Sequence, residues 1–213
     1  MFLGVTLTSF GIALVLNSGL GCFVNTAVYK GLSLKLGVPL YVVNIAFELI
    51  MIAIATYYGE GLGWTTIINA TYGAVMINVF HKLLPHAHIL ALVGILIMPI
   101  AWSTLEKASL GATGSNILMK ALMNKTNKPM MIIRTFIDST FLILALTFAK
   151  QYVTLFTILL TFICPLILTT EYKLIHYNPT DIHHDFIIKK KGRGWHVHIW
   201  KNRMWARKAY WRL

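Results

Sequence analysis

Apolar positions along this chain come in long runs rather than in alternation. The runs cover about 2–16, 39–58, 64–80, 87–105, 129–149 and 152–174. Most of them approach the roughly 20 residues needed to cross a hydrocarbon core about 30 Å thick. Short turn-forming or polar breaks divide them: Gly59-Glu60-Gly61-Leu62-Gly63, the stretch from His81 to His88 around Pro85, and Lys150-Gln151. The pattern predicts an all-α, polytopic transmembrane bundle of about six spans, and an even number of spans puts both termini on one side. No Lys or Arg precedes the first run and no A-x-A-like site follows it, so it reads as a first membrane helix rather than a signal peptide.

Two further segments, 21–36 and 111–127, are more polar than the spans and more apolar than ordinary loops. They carry Lys30, Lys35, Lys120 and Lys125, with Lys128 just beyond; each follows a Gly (Gly21, Gly111) and precedes a Pro (Pro39, Pro129). Residues of this kind bound helices, and the segments read as short re-entrant or interfacial helices.

The same segments reveal that the chain repeats itself. Residues 18–49, SGLGCFVNTAVYKGLSLKLGVPLYVVNIAFEL, lie without a gap over 108–139, ASLGATGSNILMKALMNKTNKPMMIIRTFIDS. The two share Leu20/Leu110, Gly21/Gly111, Lys30/Lys120, Leu32/Leu122, Lys35/Lys125 and Pro39/Pro129, and set Glu48 against Asp138. Each half is a span, a short broken piece and two more spans. Three crossings per half would turn the second half upside down relative to the first, a plan that places a site near the midplane where broken helices meet. The expected organisation is repeat 1 over 1–86, repeat 2 over 87–175 and a tail over 176–213.

Composition sharpens the picture. Charged residues make up 12% of the 213 and apolar ones 57%, and the first charge in the chain is Lys30. Soluble domains carry about 25% charged residues, so this balance belongs to a membrane protein. The net charge of +12 is uneven: residues 176–213 hold nine Lys/Arg against Asp181 and Asp185. A basic tail argues for cytoplasmic termini. Cys22 and Cys164 sit in apolar sequence with no metal or redox spacing, and no disulfide is expected.

The opening GIALVLNSGLG, the later LGATGSNILMKAL and the acid-bearing span after each together resemble the YczE/YyaS/YitT family of bacterial integral membrane proteins. The resemblance covers roughly residues 8–170. It implies a multi-span helical fold in the bacterial plasma membrane and supplies no established activity. Members of that family commonly show a Pro-Trp-Asp-like stretch after the first Leu-Gly; here Phe23-Val24-Asn25-Thr26 and Thr113-Gly114-Ser115-Asn116 stand instead.

Candidate chemistry therefore comes from the residues. An acid at the membrane centre costs several kcal/mol unless it faces a cavity or a partner. Glu48 lies in the middle of its span, and Asp138 matches it, with Arg134 four residues earlier on the same helical face. Asn44 occupies the position equivalent to Arg134. These residues read either as a midplane cluster binding a cation, a proton or a polar solute, or as a structural ion pair joining the halves. Asn25 and Asn116 stand near the starts of the short segments, where a re-entrant helix would aim donors inward. Asn69 and Asn78 lie nine residues apart in the third span, so at most one of them is expected to line a cavity.

In the tail, Asp185–Lys189 and Trp195–Trp200 read as strands of a small hairpin. Lys189, Lys190, Lys191 and Arg193, followed by Trp205, Arg207, Lys208 and Trp211, suit the headgroup zone of an anionic leaflet. A membrane tether makes lipid a nearer anion than nucleic acid, and a protein partner is the other candidate. His183-His184-Asp185 and His196-x-His198 lack supporting ligands for a metal. No phosphate loop, nucleophile elbow or triad is present, so neither a cofactor nor an enzymatic activity is expected. The leading expectation is a small-solute transporter or permease; the alternative is a membrane scaffold or regulator acting on a partner through its basic tail.

Overall fold

The structure, a computed structural model, describes residues 2–61, 63–107, 112–174, 186–191 and 194–199. Nine α-helices make up the body of the described residues. They are α1 (Phe2–Asn17), α2 (Val24–Leu36), α3 (Leu40–Tyr57), α4 (Trp64–Ile68), α5 (Ala74–Leu83), α6 (Ile89–Lys107), α7 (Gly114–Thr126), α8 (Met130–Phe148) and α9 (Leu155–Leu174). A π-helical turn, Asn69–Gly73, joins α4 to α5. Among the described residues α3, α8 and α9 are each long and apolar enough to cross a membrane. Their outer faces expose large apolar side chains, Ile50, Phe136 and Leu155 among them. Water would not tolerate so much exposed apolar surface, whereas lipid does.

The ninety-residue offset seen in the sequence recurs in the elements. Helix α2 and helix α7 start and stop ninety residues apart, as do the starts of α3 and α8. Pro39 and Pro129 precede α3 and α8 at matching positions. At the ends of α2 and α7 the backbone turns left-handed at Gly37 (φ 65°) and Asn127 (φ 53°), residue types that tolerate this conformation.

Packing follows the same offset. Helix α1 lies on α6, α2 packs against α8, and α3 packs against α7. The α1–α6 pair runs antiparallel and approaches closely through glycines. A Cβ on Gly4 would meet Leu105 at 2.5 Å, and one on Gly94 would meet the Gly11 carbonyl and Val15, each at 2.7 Å. Small residues at such crossings are how apolar helices pack where lipid competes for every larger side chain. Asn17, at the end of α1, donates from Nδ2 to the His81 and Leu84 carbonyls at 3.0 and 2.9 Å, satisfying the open end of α5.

The short helices start deep and end shallow. The first half of α2 is buried, while Leu34 and Leu36 near its end are exposed. It begins beside the middle of α8 and ends at that helix's C-terminus, where a Cβ on Gly31 would meet Ala149 Cβ at 2.2 Å. Helix α7 repeats the arrangement along α3, with Gly114 to Ala121 buried apart from half-buried Leu118. The two cysteines are buried and free. In the tail, β1 (Phe186–Lys191) pairs antiparallel with β2 (Gly194–Ile199), Phe186 opposite Ile199. Lys189, Lys190 and Lys191 lie on β1; Arg193, Trp205, Arg207, Lys208 and Trp211 fall outside the described residues.

Candidate functional site

Two small cavities with polar groups in their walls sit side by side at the α1–α6 crossing. Both are lined by Ile12 of α1, Trp102 of α6 and Asn25 of α2. Ile12 and Trp102 occupy equivalent positions under the ninety-residue offset. The first cavity, about 20 Å³, is completed by Val24, Arg134, Asp138, Leu160 and Cys164 among others. The second, about 40 Å³, adds Asn44, Glu48, Asn69, Gly73 and Ser115 among others. The correspondence extends to the walls: Asp138 answers Glu48, Arg134 answers Asn44, and Val24 answers Gly114, which holds Glu48. Leu160 and Cys164 of α9 answer Asn69 and Gly73 with an offset of ninety-one.

The last helix of each half is irregular at this depth. Asn69 and Gly73 bound the π-turn, a feature frequently found at functional sites. On the other side Pro165 interrupts α9 next to Cys164, and its missing N–H leaves a backbone carbonyl without its helical partner.

The two acids are held differently. Glu48 Oε2 accepts a 2.7 Å hydrogen bond from the Gly114 N–H at the first turn of α7. A helix N-terminus favours negative charge, and Gly114 allows the approach, because a Cβ there would stand 2.6 Å from the carboxylate. Thr113 caps the same helix by accepting from the Asn116 N–H. Asp138 instead accepts from Arg134 Nε at 3.0 Å, an i,i+4 ion pair buried on both sides. The guanidinium also donates from Nη1 to Asn116 Oδ1 at 2.7 Å and lies 5.5 Å from the Trp102 ring centroid.

Of the residues singled out in the sequence, Glu48, Asn44 and Asn25 meet in the second cavity, and Asp138, Arg134 and again Asn25 in the first. Asn116 supports Arg134 from behind and lines neither. Asn69 reaches the second cavity, whereas Asn78, on the other face, does not. Sequence reasoning missed Thr8, Ser9 and Trp102, which belong to runs that read simply as apolar spans. It also missed Gly114 as the anchor of Glu48, although the replacement of Val24 by Gly at the matching position was a visible signal.

Each short helix is fastened at its shallow end. Lys120 Nζ pairs with Glu60 at 3.4 Å, and Lys125 lies 5.0 Å from the Tyr58 ring centroid. At the equivalent positions Lys30 lies 5.1 Å from the Tyr152 ring and Lys35 5.5 Å from the Phe148 ring. Lysines 30/120 and 35/125 are thus repeated because each works against the loop at the end of the helix beside it.

Both cavities and both short helices fall within a stretch that a single family profile covers. The chain belongs to DUF6198, a family of unknown function. The profile matches residues 1–173, nearly all of the helical body and none of the hairpin. No curated protein and no solved structure matches the chain.

Proposed function

We propose that this DUF6198 member is a multi-pass protein of the bacterial plasma membrane, built of two inverted repeats, that works as a small-solute transporter. The observation that carries the reading is the placement of two related polar cavities on either side of an antiparallel crossing of equivalent helices, α1 and α6. In this reading α1, α3, α4–α5, α6, α8 and α9 cross the bilayer. Helix α2 re-enters from one face and α7 from the other; the buried N-terminus of α7 holds Glu48 near the midplane, and that of α2 lines the cavity containing Asp138. The short motifs that resemble YczE/YyaS/YitT proteins fall inside the matched range, in accord with that plan. The basic tail keeps both termini cytoplasmic and rests on anionic headgroups.

Transport requires that the centre open to one side at a time. The Lys120–Glu60 and Lys125–Tyr58 contacts close the terminus-bearing face, and the Lys30–Tyr152 and Lys35–Phe148 contacts close the other. A groove lined by Leu16, Gly21, Cys22, Lys30, Gln151 and Tyr152 reaches the chain at Cys22, one residue from Phe23 of the first cavity, and offers an entry path.

Accessibility tests this without knowledge of the solute. Asn44→Cys, in a background lacking Cys22 and Cys164, is treated with a membrane-impermeant thiol reagent from each face in turn. Lys120→Met should increase labelling from the terminus-bearing face, and Lys30→Met with Lys35→Met from the opposite face. Labelling that neither change alters, or that both alter from the same face, overturns alternating access. The rival role, a scaffold acting through its tail, predicts instead that deleting 178–213 abolishes function while changes at Glu48 leave it intact.

A further inference from the structure

We infer that the second cavity, walled by Asn44 and Glu48, is a binding site for a small hard monovalent cation of the alkali class. The inference rests on the cavity's own geometry and borrows from the transport reading only the consequence that such a cation would be the coupling or carried ion.

Charge comes first. Glu48 is the one acid among the lining residues, and no Lys, Arg or His joins it there. One carboxylate oxygen, Oε2, is tethered to Gly114 N–H. The other, Oε1, has no hydrogen-bond partner among the described residues, and neither does the Asn44 amide on the preceding turn; both residues are more than nine-tenths buried. Buried polar groups are ordinarily satisfied by protein, water or an ion, so two of them opening on one cavity call for an occupant.

The orientation of the hydroxyls then selects the sign of that occupant. Thr8 Oγ1 donates its proton to the Gly4 carbonyl at 3.0 Å, and Ser9 Oγ donates to Val5 and Gly73 carbonyls at 2.9 and 3.1 Å. With their hydrogens turned onto helix carbonyls, these oxygens can offer the cavity only lone pairs. Asn44 and Asn69 add amide oxygens, the ligand type that hard cations prefer, while the two unpartnered donors among the lining residues, Tyr29 Oη and Trp102 Nε1, are closed off from the cavity.

Size and charge count narrow the class. A water molecule needs a cavity of roughly 10–15 Å³, and this one offers about 40 Å³. That volume takes an ion with a water or two, and excludes an organic solute in this conformation. Divalent sites such as those for calcium are built from several carboxylates or carbonyls with about six to eight oxygens, whereas a single carboxylate balances a single charge. The first cavity serves as an internal control, since Arg134 already occupies the cation's place beside Asp138.

The test is thermal unfolding of the full-length protein in detergent, with lithium, sodium or potassium chloride against choline chloride at equal ionic strength. A site filled about 100-fold above its Kd should raise Tm by roughly 5–11 °C. At least one alkali cation should do so over choline. Glu48→Gln, which preserves shape and the Gly114 contact, and Asn44→Leu should each abolish that difference, whereas Asp138→Asn should retain it even if its baseline Tm falls. Equal Tm in all four salts overturns the site, and so does a cation effect that survives Glu48→Gln or disappears only in Asp138→Asn. Because binding is read here without flux, a positive result stands even if the accessibility experiment refutes alternating access, and a negative one leaves the outcome of that experiment untouched.

Discussion

The two cavities are built from matching parts and hold their acids by opposite means. Asp138 is balanced by a side chain, Arg134, one turn earlier on its own helix. Glu48 is balanced by backbone, the N–H of Gly114 on a helix from the other half. Two substitutions between the halves account for the difference: Asn44 for Arg134 and Gly114 for Val24. Glu48 has no arginine on its own helix, and the glycine at the start of α7 lets its carboxylate reach the backbone N–H. Helices at matching offsets thus keep similar geometry while a few side chains decide how each acid is held.

The comparison collapses entirely if the halves are not inverted. Single cysteines at Gly61 and Gln151, the matching loops after α3 and α8, should label from opposite faces of the membrane. Labelling from one face would remove the two-fold relation between the cavities.

Arg134→Met is the next largest effect. It leaves Asp138 buried without its counter-charge and should cost about 3–5 kcal/mol, read as a fall in the denaturation midpoint. Asn44→Leu, at the equivalent position, should cost about 1 kcal/mol or less, since it removes an amide with no partner among the described residues. Equal costs would mean that the two acids are held alike after all.

Gly114→Ala should destabilise by about 1–3 kcal/mol, because the new Cβ overlaps the carboxylate. The closest clash is with the Glu48 side chain, and a second, at 3.0 Å, is with its backbone carbonyl, so a double-mutant cycle with Glu48→Ala should recover part of the penalty. A penalty unchanged in that background would place the clash elsewhere.

The smallest difference lies at the fastenings. Lys120→Met removes the counter-charge of Glu60, leaving it the hydrogen bond from Asn124 Nδ2, and should cost about 1–2 kcal/mol. Lys30→Met loses only a cation–π contact of about 0.5–1 kcal/mol. If the order reverses, the face closed more firmly is the one bearing Lys30.

Much of this fold is legible in the order of residues. The Gly and Pro residues bracketing 21–36 and 111–127 mark α2 and α7 to within three residues, because helix ends are local events dictated by residues unable to continue a helix. The register that sets Glu48 against Asp138 survives intact, since α2 and α3 begin ninety residues before α7 and α8. The i,i+4 pair of Arg134 and Asp138 is visible for the same reason, as both residues share one helix.

What the chain alone determined is therefore what depends on periodicity along one segment: that long apolar helices form, three of them of membrane length, where they break, which positions recur ninety residues on, and which charges lie mid-helix. What only the tertiary structure decided is which groups from different segments meet. Gly114 reaches Glu48 across sixty-six residues, and Ser9 turns its hydroxyl toward Gly73 across sixty-four. Trp102 comes to stand between two cavities because small residues at Gly11 and Gly94 let α1 and α6 close on each other. Such contacts depend on helix separation and crossing direction, quantities that the packing of all the helices sets together and that no single stretch of sequence contains.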